Sequence, residues 1–369
     1  METEAIQDLL NTLDEDVLKL ENGEPLFTDR RYKVFPISTN NFIQFEPTAD
    51  IQSRIAFVDG GNSLIISTPT FSISLIRIYF NIFGGEGRLI TLNQPIRIEF
   101  YAISRTMMKG GELYYTTELF PFDKKFDKLL PLKQHITFNP HDETIRIGAQ
   151  MMGIENMGNI IRRFAEWNMI PYIADILEEG DLIVRDGSLQ TSITGEAIYS
   201  KKAYHACKKD NVILSGLSKT SSLYTNTGNS LTAVIKKEGA KKFPKKTWYY
   251  NPIAKISHPD HLVEMFFIKL HPSSDYCFRF EIYKEQAEKM SKEELSKLFG
   301  TLSKNSCDMT FVGYPYGLID ADLNARVRGD EIQYHAALFL SKVPKKDAER
   351  IMDLIRANDA HDTLNRILR

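Results

Sequence analysis

The order of the hydrophobic patterns along the chain carries most of what the sequence says about its fold. Residues 3–20 place Ile6, Leu9, Leu10, Leu13, Val17 and Leu18 at helical spacing with acids between them, which predicts a docking or dimerisation helix. After an irregular stretch, residues 26–53, the run Ile55-Ala56-Phe57-Val58 closes on Asp59-Gly60-Gly61 and reads as a buried strand meeting a turn. Residues 70–80 and 95–103 are rich in β-branched and aromatic residues. In the second of these, Ile96, Ile98, Phe100 and Ala102 alternate with Arg97, Glu99 and Tyr101, the period of a half-buried strand. Gly84-Gly85-Glu86-Gly87 between them predicts a hairpin; no helix and no Gly-Lys-Ser/Thr follows to make it a phosphate loop.

From residue 142 to 178 the period turns helical, with Ile154, Met157, Ile160, Ile161, Phe164 and Trp167 recurring at three and four, and Pro171 is expected to break or kink that helix near its end. Leu182-Ile183-Val184-Arg185 then closes on Asp186-Gly187-Ser188, a second copy of the Asp-Gly phrase, and residues 211–219 predict a strand ending at Lys219. Strands over 263–270 and 276–283 follow, with helices over 284–299, 318–328, 332–340 and 345–368. The order strand, strand, strand, helix, Asp strand, helix, strand is that of a ribonuclease-H-like α/β fold, a mixed sheet flanked by helices, here with N-terminal and C-terminal helical additions. In that topology the first and fourth strands are adjacent and parallel, so Asp59 and Asp186 leave the sheet together. The expected division is an extension over 1–50, one domain over 51–345 and a C-terminal helix over 346–369, with no linker rich in Pro, Gly or Ser.

Composition narrows the class without choosing a function. The 369 residues are 43% hydrophobic and 25% charged, and 46 Lys and Arg against 48 Asp and Glu leave nucleic-acid binding to local clusters. Three cysteines, Cys207, Cys277 and Cys307, lack any C-x-x-C spacing, which fits a reducing compartment and offers no disulfide framework or thiolate zinc site. The acidic N-terminus is unlike a signal peptide, and no window reaches the roughly 20 apolar residues of a membrane span, so a cytoplasmic protein is expected.

Paired carboxylates at adjacent strand ends suit hard divalent cations and the two-metal hydrolysis of phosphodiesters; the rival reading makes each Asp-Gly an ordinary turn. Glu166 could lean over the strand ends on a helix face shared with Asn159 and Arg163, or simply pair with Arg162 at i, i+4. Lys219 could meet a phosphate or stand solvated at a loop entrance. Asp320 and Asp322, two apart on a helix, cannot face the same way, and the sharper reading gives Asp322 to the metal shell. Lys236, Lys237, Lys241, Lys242, Lys245 and Lys246 precede Trp248 in a run that could track a phosphate backbone and stack a base, or form a charged flexible loop. His258 and His261 have no companion motif.

The pieces Phe57-Val58-Asp59-Gly60 with Ser63, the helix bearing Arg162, Arg163 and Glu166, and Val184-Arg185-Asp186-Gly187-Ser188-Leu189 come in one order with Gly216-Leu217-Ser218-Lys219 and Gly313-Tyr314-Pro315-Tyr316-Gly317-Leu318 plus Asp322. Together they resemble the NurA nuclease family. That resemblance implies manganese-dependent (or magnesium-dependent) DNA cleavage with two ions per site, a two-fold homodimer, and partnership with a HerA-type hexameric ATPase translocase in DNA end processing or defence. It also implies Asp59, Glu166, Asp186 and Asp322 as metal ligands and Lys219 as a phosphate contact. Two other classes stay open: an actin-like-fold ATPase or kinase, and a non-catalytic adaptor that clamps DNA or a motor.

Overall fold

The structure, a computed structural model, describes residues 2–13, 20–48, 53–85, 87–90 and 96–358. The chain forms two compact units, each assembled from two stretches: Met1–Thr48 with Leu217–Gly313, and Ala49–Gly216 with Tyr314–Arg369. Boundaries at 50 and 345 therefore do not mark the units. Each unit is left and re-entered by the chain, so no single linker separates them.

The unit formed by Ala49–Gly216 and Tyr314–Arg369 carries both Asp-Gly phrases, and its elements are labelled here in chain order. Strands β1 (Ile55–Ser67), β2 (Phe71–Gly84), β3 (Ile96–Lys109) and β4 (Glu112–Pro121) form an antiparallel meander. Helix α1 (Met157–Ala174) crosses to β5 (Leu182–Asp186), which pairs parallel with β1. Helix α2 (Glu196–Lys209) leads to β6 (Ile213–Ser218), whose residues up to Gly216 belong to this unit. The strand order β6-β5-β1-β2-β3-β4 gives the mixed, ribonuclease-H-like α/β sheet expected from the sequence, with β4 an addition at its edge. Nearly every residue of β2 is buried, as a central strand covered on both faces requires.

Three expectations change in detail. Helix α1 begins only at Met157, because residues 142–156 form irregular chain with turns, an isolated bridge between Ile147 and Gln150 and one short 3-10 segment, and it runs through Pro171 to Ala174. The proline sits in the last turn, where little helix remains to disrupt. The first strand does not end at Asp59. It continues eight residues further, to Ser67, and Gly60 and Gly61 are extended strand residues rather than a turn. The second phrase is a true turn: Gly187 has φ +96°, which an L side chain rarely adopts.

Helices α3 (Tyr316–Ala325), α4 (Gly329–Lys342) and α5 (Lys345–Asn358) complete this unit. Helix α3 lies on β1: a Cβ built on Gly317 falls 2.0 Å from the buried ring of Phe57, and one on Gly61 falls 2.1 Å from the carbonyl oxygen of Ala325. Helix α4 has no fully buried residue, and polar contacts fasten it. Arg77, 3% exposed, pairs with Glu331 at 2.8 Å and Glu99 at 2.6 Å and donates to the Arg326 carbonyl at 2.6 Å, while Tyr101 Oη and His335 Nδ1 meet at 2.6 Å. The hydrogen bond from Arg77, above all, holds Glu331 near 2 against an ordinary 4.5. A depressed carboxylate contributes stability above its unfolded value and loses it as pH falls towards the folded one. Protection factors in α4, corrected for the intrinsic slowing of amide exchange in acid, are therefore expected to fall as pH drops from about 4.5 to 2, and Glu331→Gln should flatten that dependence.

The other unit contains antiparallel strands in the order Phe42–Gln44, Trp248–Tyr250, Val263–Lys269 and Phe278–Tyr283. The helix expected over 284–299 is two, Lys284–Ala287 and Lys292–Lys304, because Ser291 starts the second with a capping box to Glu294. The N-terminal helix runs over Glu2–Thr12 with no buried residue; residues 14–19 of the longer helix expected there lie outside the described residues.

Candidate active site

Strand alternation explains which side chains meet. Parallel pairing of β1 and β5 runs from Ile55 with Leu182 to Val58 with Arg185, so the next pair in register is Asp59 and Asp186. Side chains on a strand point alternately to its two faces. Phe57, Asp59 and Gly61 thus share the face covered by α3, and the close seats of Gly317 on Phe57 and of Ala325 on Gly61 bring α3 down over Asp59. The result is a trio: ligand oxygens of Asp59, Asp186 and Asp322 all lie within 4.8 Å of one another. Asp59 is buried and the other two are half-buried. Three carboxylates from a strand, a strand end and a helix could hold a metal ion, and carboxylate oxygens with no soft donor suit a hard divalent cation.

Of Asp320 and Asp322, it is Asp322 that stands in the trio. Asp320 turns away and accepts hydrogen bonds from Tyr79 Oη at 3.2 Å, Asn81 Nδ2 at 2.6 Å, Arg88 Nη1 at 3.2 Å and Asn324 Nδ2 at 3.1 Å. It anchors α3 to β2. Asp322 meets Arg326 at 2.6 Å, a partly exposed pair one helical turn apart.

Glu166 is not part of the trio. Gly60 faces the opposite side of β1 from Asp59, and a Cβ there would lie 2.7 Å from Glu166 Oε1 and 3.0 Å from Arg162 Cγ, which places Glu166 on the α1 side of the strand. Its carboxylate is gripped by Arg162 and, at 2.6 Å, by Arg185. The i, i+4 pair of Arg162 with Glu166 does form, yet Glu166 is 1% exposed, so this is no surface pair. Arg163 points elsewhere, to Glu196 and to the Gln190 carbonyl, so it shares no partner with Glu166. Arg185 also donates to the Ser188 carbonyl at 2.7 Å and lies 4.9 Å from the centre of the Trp167 ring, which closes the turn after Asp186.

Two residues without a role in the sequence reading stand close to the acids electrostatically. Arg162 is pushed above its ordinary value by Glu166 first, against the opposing effect of burial, with Asp59 and Asp186 adding to it. The phenol of Tyr314, fully buried, is pushed well up, by burial first and then by Asp186, Asp59 and Asp322. The sequence signals were a place inside a motif piece for both and, for Arg162, its i, i+4 spacing to Glu166.

The basic run is not a loop. Lys236, Lys237, Lys241 and Lys242 lie on the helix Leu231–Lys242, with Lys245 and Lys246 just beyond it. Lys237 donates to the Leu20 carbonyl, Lys241 pairs with Glu238 at 2.7 Å, and Lys242 donates to the Thr39 carbonyl; all of the six but Lys237, which is half-buried, are exposed. Trp248 cannot stack a base as placed: it is fully buried, and a Cβ on Gly239 would fall 2.4 Å from its ring. Its place in the short strand Trp248–Tyr250, all three residues of which are buried, and the seat on Gly239 make it core. Lys219 is exposed directly after β6, in the unit that does not hold the trio.

No protein-family model and no curated protein matches the chain. Solved structures similar to it include the NurA nuclease from Sulfolobus solfataricus, 12% identical over 97% of this chain and 95% of that one, with a TM-score of 0.48. They also include an A. aeolicus Argonaute, 10% identical over 76% of this chain and 29% of that one with a TM-score of 0.31, and a Kluyveromyces polysporus Argonaute with a guide RNA, 12% identical over 78% and 27% with a TM-score of 0.29. Among the described residues no helix is long and apolar enough to cross a membrane.

Proposed function

We propose that this chain is a divalent-metal-dependent nuclease that hydrolyses DNA phosphodiester bonds at Asp59, Asp186 and Asp322. The observation that carries the reading is the convergence of three carboxylates, from three elements, to within 4.8 Å. Like charges so crowded are unfavourable by themselves and are relieved by a cation. Manganese or magnesium is the expected ion. Magnesium sites commonly take only one or two protein carboxylates plus phosphate oxygens of the substrate, so three carboxylates suffice for two ions once DNA supplies its own. When bound, such ions would supply a nucleophile at neutral pH and neutralise charge on the phosphoryl and leaving oxygens. The chain's own part is to hold Asp59 and Asp186 on rigid strands, to deliver Asp322 from α3, and to keep Glu166 as the brace between Arg162 and Arg185. Lys219 and the basic run Lys236, Lys237, Lys241, Lys242, Lys245 and Lys246 are proposed as contacts along the DNA backbone.

As part of the same reading, the chain works as a homodimer with a HerA-type hexameric translocase in DNA end processing or defence; what supports this is the ordered motif resemblance. The test uses labelled linear and circular DNA, single- and double-stranded, with manganese, magnesium or EDTA, with and without the translocase. Cleavage that needs the metal and is lost in EDTA is expected. An inert wild-type chain under every condition would sink the proposal.

A further inference from the structure

We infer that Arg162 is the phosphate anchor of this site, a role that rests on the nuclease reading above and that no motif assigns. Of its five N–H donors, those on Nη1 are spent: Nη1 donates to the Gly60 carbonyl at 3.1 Å and to Glu166. Nε and Nη2 donate to no described residue, and the side chain stays 30% exposed. The Nε–Nη2 edge is one of the two forks with which a guanidinium grips a phosphate or carboxylate through parallel hydrogen bonds. In Arg185, by contrast, both terminal nitrogens are engaged within a buried setting, so it has no such edge to offer.

The placement is as informative as the free edge. The stem of Arg162 lies on the α1 side of β1, as Glu166 does, but its guanidinium reaches the carbonyl of Gly60, which directly follows Asp59 beyond the last parallel pair of β1 with β5, where the charges of Asp59 and Asp186 act on it. Arg162 is fixed to its carbonyl, Glu166 fixes Arg162, Arg185 fixes Glu166, and Arg185 closes on Ser188, two residues past Asp186. One chain of charge-assisted bonds therefore ties the guanidinium to both strands that carry the acids. A cation so held costs no reordering when a phosphate arrives. It also offsets the negative potential of the trio, which alone would repel DNA. Glu166 acts through Arg162 and is a positioning residue.

The test compares wild type with Arg162→Gln, Arg162→Lys and Glu166→Gln in three measurements. Binding of a fluorescein-labelled single-stranded DNA oligonucleotide is followed in calcium across salt concentrations. For Arg162→Gln the slope of log K against log salt is expected to become shallower by about 0.7, the effect of one lost phosphate contact, whereas Arg162→Lys keeps the slope. Cleavage in manganese is expected to fall about 10²-fold in Arg162→Gln and to recover only in part in Arg162→Lys, which retains the charge without the fork. Manganese calorimetry should show binding no weaker in Arg162→Gln than in wild type, since a competing cation has been removed. Glu166→Gln should behave as a milder Arg162→Gln in DNA binding. An unchanged salt slope in Arg162→Gln overturns the inference whether or not the wild type cleaves DNA. A wild type that binds with the predicted slopes but never cleaves defeats the nuclease reading alone, and loss of manganese binding in Arg162→Gln overturns the anchor in favour of a purely structural arginine.

Discussion

Asp186→Asn is expected to abolish cleavage, by about 10³-fold or more, and to leave the fold intact. Losing a ligand that stabilises developing charge removes several kcal/mol from the transition state, and each 1.36 kcal/mol is tenfold in rate. The thermal behaviour separates this from a damaged fold. Without metal, three carboxylates within 4.8 Å repel one another, so neutralising one of them should leave apo stability unchanged or raised. With manganese at about 100 times its dissociation constant, the wild type gains about 2.7 kcal/mol, which appears as a rise in melting temperature of several degrees. Asp186→Asn and Asp59→Asn should lose that rise. A variant that melts early without metal, or one that keeps the full manganese-induced rise, would contradict the assignment of the trio.

Much of this site was legible in the sequence, for reasons that are local. The runs Ile55–Val58 and Leu182–Arg185 announce two buried strands, and the helical period before Asp186 announces the crossover that makes them parallel neighbours. What could not be read is how far β1 extends. Asp-Gly is strong turn chemistry, and at Gly187 it is a turn; at Gly60 and Gly61 the same residues are extended, chosen for closeness rather than for backbone freedom. With β1 taken as ending at Asp59, nothing placed Gly60 and Asp59 on opposite faces, and so nothing set Glu166 apart from the trio. Trp248 failed for a related reason. A tryptophan after a lysine run looks available for stacking, and only the pairing of Trp248–Tyr250 between two other strands, with Gly239 against the ring, shows it to be core. Arg162, Arg185 and Asp320 act through tertiary partners in distant stretches, which spacing along one helix cannot reveal.

Gly61→Ala is expected to cost about 1–3 kcal/mol of stability and at least tenfold in manganese affinity, although residue 61 is not itself one of the proposed ligands. The added Cβ would lie 2.1 Å from the Ala325 carbonyl oxygen and 2.8 Å from its carbon, both backbone atoms that no rotamer change can move. Ordinary contact begins near 3.4 Å, so the last turn of α3 must lift by about an ångström. The other end of α3 cannot follow freely, because Gly317 is seated on Phe57 and Asp320 is tied to Tyr79, Asn81 and Arg88. Nor can the segment after it, since the buried Arg77 holds the Arg326 carbonyl. The helix tilts instead, and Asp322, one turn before Ala325, leaves the carboxylates on the strands. Urea unfolding measures the first effect and calorimetry the second, with Gly329→Ala as the comparison: nothing lies within 4 Å of a Cβ there, so both quantities should stay near wild type. Should Gly61→Ala unfold early yet bind manganese as tightly as the wild type, Asp322 would be dispensable and the site would reduce to the two strand aspartates.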